Sequence, residues 1–302
     1  MIRANGIRRN TGLYLLILPA FILSFCFAYL PMYGVVIAFK DYRNALGIMG
    51  SSWADPWFKH FARFFSSPNF GTTITNTLVI SFYSLIVMTP LPVAIALLIN
   101  QMRLRVFKRV FQTVTYLPHF ISTVVMVGMI LIMLSPSSGL IGNIYGLLGA
   151  EAPNLMGIPG AFSSVYVWSD VWQHTGWDSI IYIAALSAVD PSLYEAATVD
   201  GANRWQRLKH IDLPMILPTA CILLILRAGN IMNVGFEKVY IMQNNLNLSA
   251  SEVISTYVYK IGIINAQYSY SAAINLFNTL VNLALLVSVN MFSKKFSETS
   301  LW

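Results

Sequence analysis

The sequence predicts an all-α, polytopic membrane protein, and two observations carry that expectation. Apolar runs of about twenty residues or more recur along the chain. Only 10% of its 302 residues are charged, where a soluble domain carries about 25%. Hydrophobic residues make up 56% and mean hydropathy is +0.63. Strands are not expected, because lipid cannot satisfy an open sheet edge.

Residues 1–302 read as a single transmembrane domain with six spans. Span one covers about 12–39 and contains Pro19 and Pro31, so kinks are expected there. Residues 40–71 form a polar, aromatic loop with Trp53, Trp57 and Phe58, residue types that favour the headgroup level. Within it, 58–65 has the pattern of a short interfacial helix. Span two covers about 74–100, with Pro90 and Pro92 expected to break its middle. Span three covers about 113–134 and span four about 161–189. A charged segment, 190–213, precedes span five at about 214–232. Span six covers about 272–292.

Orientation follows from Lys and Arg. With the N-terminus inside, the inner segments carry three (Arg3, Arg8, Arg9), four (101–111), three (190–213) and two (Lys294, Lys295). The outer loops carry four, none and two, so both termini are expected in the cytoplasm. The same rule accounts for the net charge of +7 without nucleic acid, since no basic stripe is interleaved with aromatics outside the apolar runs. Cys26 and Cys221 lie inside apolar runs and read as buried free thiols. The first apolar run is too long for a signal peptide and has no small-x-small cleavage site, so it reads as an uncleaved anchor.

The charged segment 190–213 has clear local chemistry. Asp190-Pro191 is a helix start: a carboxylate cap, then proline at the first helical position. Glu195, Ala196 and Ala197 favour helix, and Gly201 is a natural exit from it. A second short helix is expected from Asn203 to His210, before Leu213-Pro214 opens span five. The segment is therefore expected as a helix–turn–helix on the cytoplasmic surface, joined rigidly to spans four and five. No Gly-x-x-x-x-Gly-Lys-Ser/Thr loop is present, so any ATP hydrolysis would fall to another chain.

Glu195-Ala196-Ala197, three residues, Gly201, nine residues, Ile211, one residue and Leu213-Pro214 resemble the EAA motif of permease subunits in binding-protein-dependent ABC importers. Trp172 to Trp177, Asp190 to Tyr194, Tyr116 to Phe120 and Pro31 to Gly34 are similar to the carbohydrate-uptake branch, in particular the oligosaccharide and lipo-oligosaccharide permeases. The resemblance covers nearly the whole chain and implies a type I ABC importer permease fold in a bacterial cytoplasmic membrane. It implies that Glu195, Ala196, Ala197, Asp200, Gly201, Ala202, Arg204 and Trp205 form a coupling surface against an ATP-binding subunit. The implied partners are a second permease, two ATP-binding subunits holding ATP and Mg, and an extracytoplasmic solute-binding protein. No cofactor is expected on this chain itself.

A saccharide path needs aromatic faces and planar polar groups, and polar residues inside spans default to function. Span four offers Trp172, Gln173, Trp177, Asp178 and Asp170; span five offers Arg227 and Asn230. Arg227 must be paired or hydrated, with Asp170, Asp178, an acidic sugar or the second permease as its expected partner. Asn275, Asn278 and Asn282 share a face of span six and read as interhelical hydrogen bonding. The four His show no metal spacing, and no nucleophile accompanies Asp170 and His174, so an enzyme is not expected. Asp170, His174, Asp178 and Arg227 would also suit a proton-coupled secondary transporter, the alternative reading, which leaves the EAA segment without a role.

Overall fold

The computed structural model describes residues 10–297, and these are mostly helical. Arg3, Arg8, Arg9 and the side chain of Lys295 lie outside the described residues. Four helical runs are long and apolar enough to cross a membrane: Thr11–Phe39, Pro68–Gln101, Arg204–Ala228 and Tyr268–Lys294. A fifth candidate, Arg105–Phe120 with Thr123–Met133, is bent by 101°. The chain divides into two compact units, one of Met1–Ser67 with Val258–Phe277 and one of Pro68–Tyr257 with Asn278–Trp302.

In the first unit, α1 (Thr11–Ser24) passes into a π turn and then a 3₁₀ stretch that ends at Phe39. Pro19 is held inside α1. Pro31 has no N–H to donate, and the ladder shifts register just before it, with Leu30 N–H bonding back five residues to Phe25 O. Cys26 is exposed on this apolar surface, which corrects the expectation of a buried thiol, while Cys221 is half-buried. A short ladder joins β1 (Lys40–Asp41) and β2 (Ser52–Trp53), antiparallel, with Lys40 opposite Trp53. These strands were not expected. The buried Lys40 ammonium holds the loop between them closed by donating to Ile48 O (2.7 Å) and Ser51 O (3.2 Å). The helix α2 (Lys59–Phe65) packs Phe64 and Phe65 on Phe277.

The second unit is built on α3 (Pro68–Met88), α4 (Pro90–Gln101), α5 (Arg105–Tyr116), α6 (Thr123–Met133) and α7 (Phe162–Ser187). Pro90 and Pro92 do not break span two. Only Thr89 separates α3 from α4, and the two form one 34-residue run. Pro92 cannot donate to the Met88 carbonyl four residues back. Arg227 Nη1 donates to that oxygen instead, at 2.6 Å. Span three, by contrast, is not one helix. Pro118 sits in a 3₁₀ turn, and the chain bends between α5 and α6, where Gln173 Nε2 donates to the freed Ile121 carbonyl at 2.9 Å.

The segment expected as a separate helix from 203 to 210 is not separate. Arg204 to Ala228 is one 25-residue helical run, carried through a π turn at Leu208–Asp212 into α9 (Leu213–Ala228), with α8 (Pro191–Val199) before it. The run ends at Ala228, short of the expected 232, and Asn282 Oδ1 accepts from the Met232 N–H in the unwound chain beyond. Asn278 Nδ2 likewise donates to Asn233 Oδ1 at 2.8 Å. Both asparagines lie on α11 (Tyr268–Ser297).

Along α7, Ile80, Val127, Phe162, Tyr166 and Val167 share one buried cluster, while Tyr182 and Leu186 share another with Ala96, Leu97 and Ile216. Between them Gly176 lies directly against the backbone of Thr115, so a Cβ at 176 would overlap the Thr115 carbonyl. Gly176→Ala is expected to lose about 1–3 kcal/mol through overpacking, read as a lowered Tm of the purified assembly. Gly128→Ala, where a Cβ meets nothing within 4 Å, serves as the control. An unchanged Tm in Gly176→Ala would refute the close approach.

Candidate functional site

Two constellations stand out, both in the second unit. The first is the segment between α7 and α9. Asp190 accepts from the Ser192 N–H at 2.9 Å, and that hydrogen bond holds its carboxyl below the ordinary aspartate range. Pro191 follows at the first helical position. α8 closes with Ala202 N–H on Ala197 O and Gly201 N–H on Thr198 O, the paired bonds of a Schellman ending. Gly201 has φ +76°, the left-handed conformation that favours glycine. A capping box then starts the next helix: Asn203 and Gln206 exchange side-chain and backbone bonds at 2.7 and 2.9 Å.

Glu195, Ala196, Asp200, Gly201, Arg204 and Trp205 are exposed, while Ala197 and Ala202 are half-buried. Val199 is 88% and Trp205 70% exposed, large apolar groups on a polar segment with nothing of this chain over them. The segment is nonetheless firmly anchored. Asp212 is fully buried and accepts from the Tyr194 hydroxyl, from Gln101 Nε2 (2.9 Å) and from Asn100 Nδ2 (3.3 Å). Burial, and then the bond to Asp212, push the Tyr194 phenol up to about 12, so it remains a donor. This clasp joins α8 to the end of α4. Sequence reading passed over it because Asp212 fell on an unspecified position of the motif.

The second constellation is a cavity of about 490 Å³. α3, α7 and the chain from Arg227 to Lys238 line it. Of the seven predicted pathway residues, the fold brings Asp170, Gln173, Arg227 and Asn230 onto this lining. Trp172, Trp177 and Asp178 lie off it. Trp177 stacks on the His119 ring at 4.4 Å, and Trp172 is half exposed. Asp178 Oδ2 accepts from Arg227 Nη2 at 2.5 Å, so of the expected partners of Arg227 the fold selects Asp178.

Lys238 was assigned to an outer loop by sequence. In the fold it is buried, on α10 (Phe236–Met242), and its ammonium must therefore be paired. It lies 2.9 Å from Asp170 Oδ1 and 3.3 Å from Tyr166 O, with the Tyr166 ring 4.8 Å away. His174 extends the row, with Nε2 3.7 Å from Asp170 and Nδ1 3.1 Å from His119 Nδ1. Both cations of the lining thus face carboxylates. Glu237 is exposed to the cavity and has no ion-pair partner among the described residues. No group of three or more potential metal ligands occurs among the described residues.

The family described as "Binding-protein-dependent transport system inner membrane component" matches residues 88–298. The polygalacturonan/rhamnogalacturonan transport system permease protein YteP of Bacillus subtilis (strain 168) is 42% identical over 290 residues, covering 96% of this chain and 90% of the relative. Protein LplB of the same organism is 40% identical over 297 residues, covering 98% and 93%. Among solved structures, a chain of the bacterial alginate ABC transporter, in complex with an alginate pentasaccharide-bound periplasmic protein, superposes with TM-score 0.90. It is 36% identical, with 100% of both chains covered. A second alginate importer structure gives TM-score 0.88 over 97% of this chain and 98% of that one. The fold is that of a type I ABC importer permease, and the chain belongs to the family of binding-protein-dependent transport system inner membrane components.

Proposed function

We propose that this chain is one of two permease subunits of an ATP-driven importer that carries an oligosaccharide or polysaccharide fragment into the cell. The exposed, rigidly anchored segment from Pro191 to Trp205 carries the reading. It is a multi-pass protein of the bacterial cytoplasmic membrane, and family membership displaces the proton-coupled alternative. The saccharide class is that of its relatives, whose names specify polygalacturonan, rhamnogalacturonan and alginate.

Six spans with both termini inside remain the topology of choice. α7 is 26 residues long, about 39 Å at 1.5 Å per residue, enough to cross a bilayer core. Asp170, His174 and Asp178 lower its hydropathy. The four outer-loop cations that weaken the positive-inside count include three with structural roles. Lys40 is buried, Lys59 pairs with Asp41 at 3.0 Å, and Arg63 lies 4.2 Å from the Tyr270 ring centre.

In this mechanism two ATP-binding subunits, with ATP and Mg, close inside the cell and push on α8. Glu195, Ala196, Ala197, Asp200, Gly201, Ala202, Arg204 and Trp205 form the docking surface. Asp212, Tyr194, Asn100 and Gln101 pass the push to α4 and α9 together. α7 and α9 shift, and the cavity opens to a solute-binding protein outside. Asp170, Gln173, Arg227 and Asn230 line the path, and Trp172, Trp177 and Asp178 support it from the second permease's side or from behind. Of the carboxylates on this half of the path, Asp170 is paired and Glu237 has no ion-pair partner among the described residues, and an unpaired acceptor suits hydroxyl recognition better than carboxylate capture.

Three outcomes test the reading. Glu195→Lys and Gly201→Asp should abolish transport and substrate-stimulated ATP hydrolysis by the assembled importer while leaving membrane insertion intact; normal coupled uptake in either variant would sink the coupling role. Arg227→Ala and Asp178→Ala should lower uptake at least about tenfold with the complex still assembled, because each leaves a charge unpaired in the membrane. Loss of assembly in both, with no transport phenotype separable from it, would make the pair purely structural. Purified alone, the chain should hydrolyse no ATP, measured as phosphate release.

A further inference from the structure

We propose that Arg103, Arg204 and Arg207 form a phosphate-binding site beside the coupling segment, separate from the saccharide path. They line a pocket of about 320 Å³ together with Asn100, Gln101 and Tyr194. No acidic residue lines it among the described residues. None of the three guanidinium groups has an ion-pair partner among the described residues, whereas Arg227 is paired. The Asp212 carboxylate is fully buried and accepts from Tyr194, Asn100 and Gln101, three residues of the pocket lining. Like charges held together without an anion repel, and an anion seated among them removes that repulsion.

The site is built into the fold. The capping box fixes the start of the helix that carries Arg204 and Arg207 three residues apart, on one face. Arg207 Nη1 is tethered to Thr198 Oγ1 at 3.3 Å. Arg103 comes from the other side, two residues beyond the end of α4. Planar guanidinium forks match phosphate oxygens in bidentate pairs, which favours a phosphate over a halide or a lone hydroxyl.

Depth points to a source. Pro68–Gln101 ends and Arg204–Ala228 begins at this pocket, and both are membrane-length helices. The pocket therefore sits at headgroup level, which is the cytoplasmic leaflet if the proposed orientation holds. The phosphate of an anionic phospholipid and free phosphate share the required chemistry. An occupied site would stiffen the junction between α4 and α8, through which the coupling push passes.

The test uses the assembled importer in neutral detergent. Phosphatidylglycerol and phosphatidylcholine are titrated and read by native mass spectrometry, and inorganic phosphate is titrated against chloride by thermal shift. The wild type should bind phosphatidylglycerol in preference to phosphatidylcholine, and Arg103→Gln/Arg207→Gln should bind it about tenfold more weakly. Phosphate stabilisation that is lost in the same variant would make free phosphate the ligand. Arg103→Lys/Arg207→Lys should retain part of the binding and controls for folding. Equal binding of both probes by wild type and the Gln variant would overturn the site. So would unchanged lipid binding with loss of the ATP-binding subunits, which would assign the arginines to that interface. Binding in detergent depends on neither transport nor orientation, and Arg204 is left intact, so failure of the coupling role would be recognised separately through Glu195→Lys.

Discussion

A guanidinium inside a membrane helix must find partners within the protein, and Arg227 sets much of the surrounding architecture by doing so. Its two donor arms join three elements: Asp178 on α7, and the Met88 carbonyl at the α3–α4 junction that Pro92 leaves without a helical donor. One side chain thus repairs a proline defect, neutralises a half-buried carboxylate and forms a wall of the cavity. Because the partners lie on separate helices, the helices cannot slide independently without exposing a charge to lipid.

The same logic repeats along α7. Gln173 satisfies the carbonyl exposed at the bend between α5 and α6, and Asp170 neutralises the buried Lys238. Trp177 stacks on His119 at the turn before that bend. Broken backbone near the cavity is held by polar side chains from several helices: Gln173 of α7 at the Ile121 bend, Arg227 of α9 at Met88, and Asn282 of α11 at Met232. Non-helical backbone at membrane depth is tolerated where protein surrounds it, and here α7, α9 and α11 supply those partners. At the other end of α7, Asp212 performs the corresponding task for the coupling segment, fastening Tyr194 on α8 to Asn100 and Gln101 on α4. The charged segment is mostly exposed along 195–205 and hydrogen-bonded where it meets the membrane helices.

Local chemistry was legible in the sequence. The Asp190-Pro191 start and the Gly201 exit were readable because caps and left-handed turns depend on residues a few positions apart. The helical class and the spacing of the Glu195–Pro214 segment were readable for the same reason. What misled the reading was proline. Pro90 and Pro92 looked like a break and are not one, because a distant arginine repairs the ladder; Pro118, inside the run read as span three, lies in a 3₁₀ turn beside a sharp bend. A proline's missing N–H is a local fact, and whether the chain breaks there depends on what else reaches the freed carbonyl.

Composition and periodicity by themselves determined that this chain is a helical membrane protein with a charged segment between two spans, since these follow from the bilayer's demand for apolar length and satisfied backbone, and the permease reading came from the resemblance of that segment's spacing to the EAA motif. Tertiary structure alone decided which charges pair. It chose Asp178 for Arg227, brought Lys238 from a supposed loop to Asp170, buried Asp212 behind Tyr194, and left Arg103, Arg204 and Arg207 without a carboxylate partner among the described residues. Pairing is a property of distance in space, and these partners lie up to 68 positions apart in the chain, beyond the reach of any local pattern.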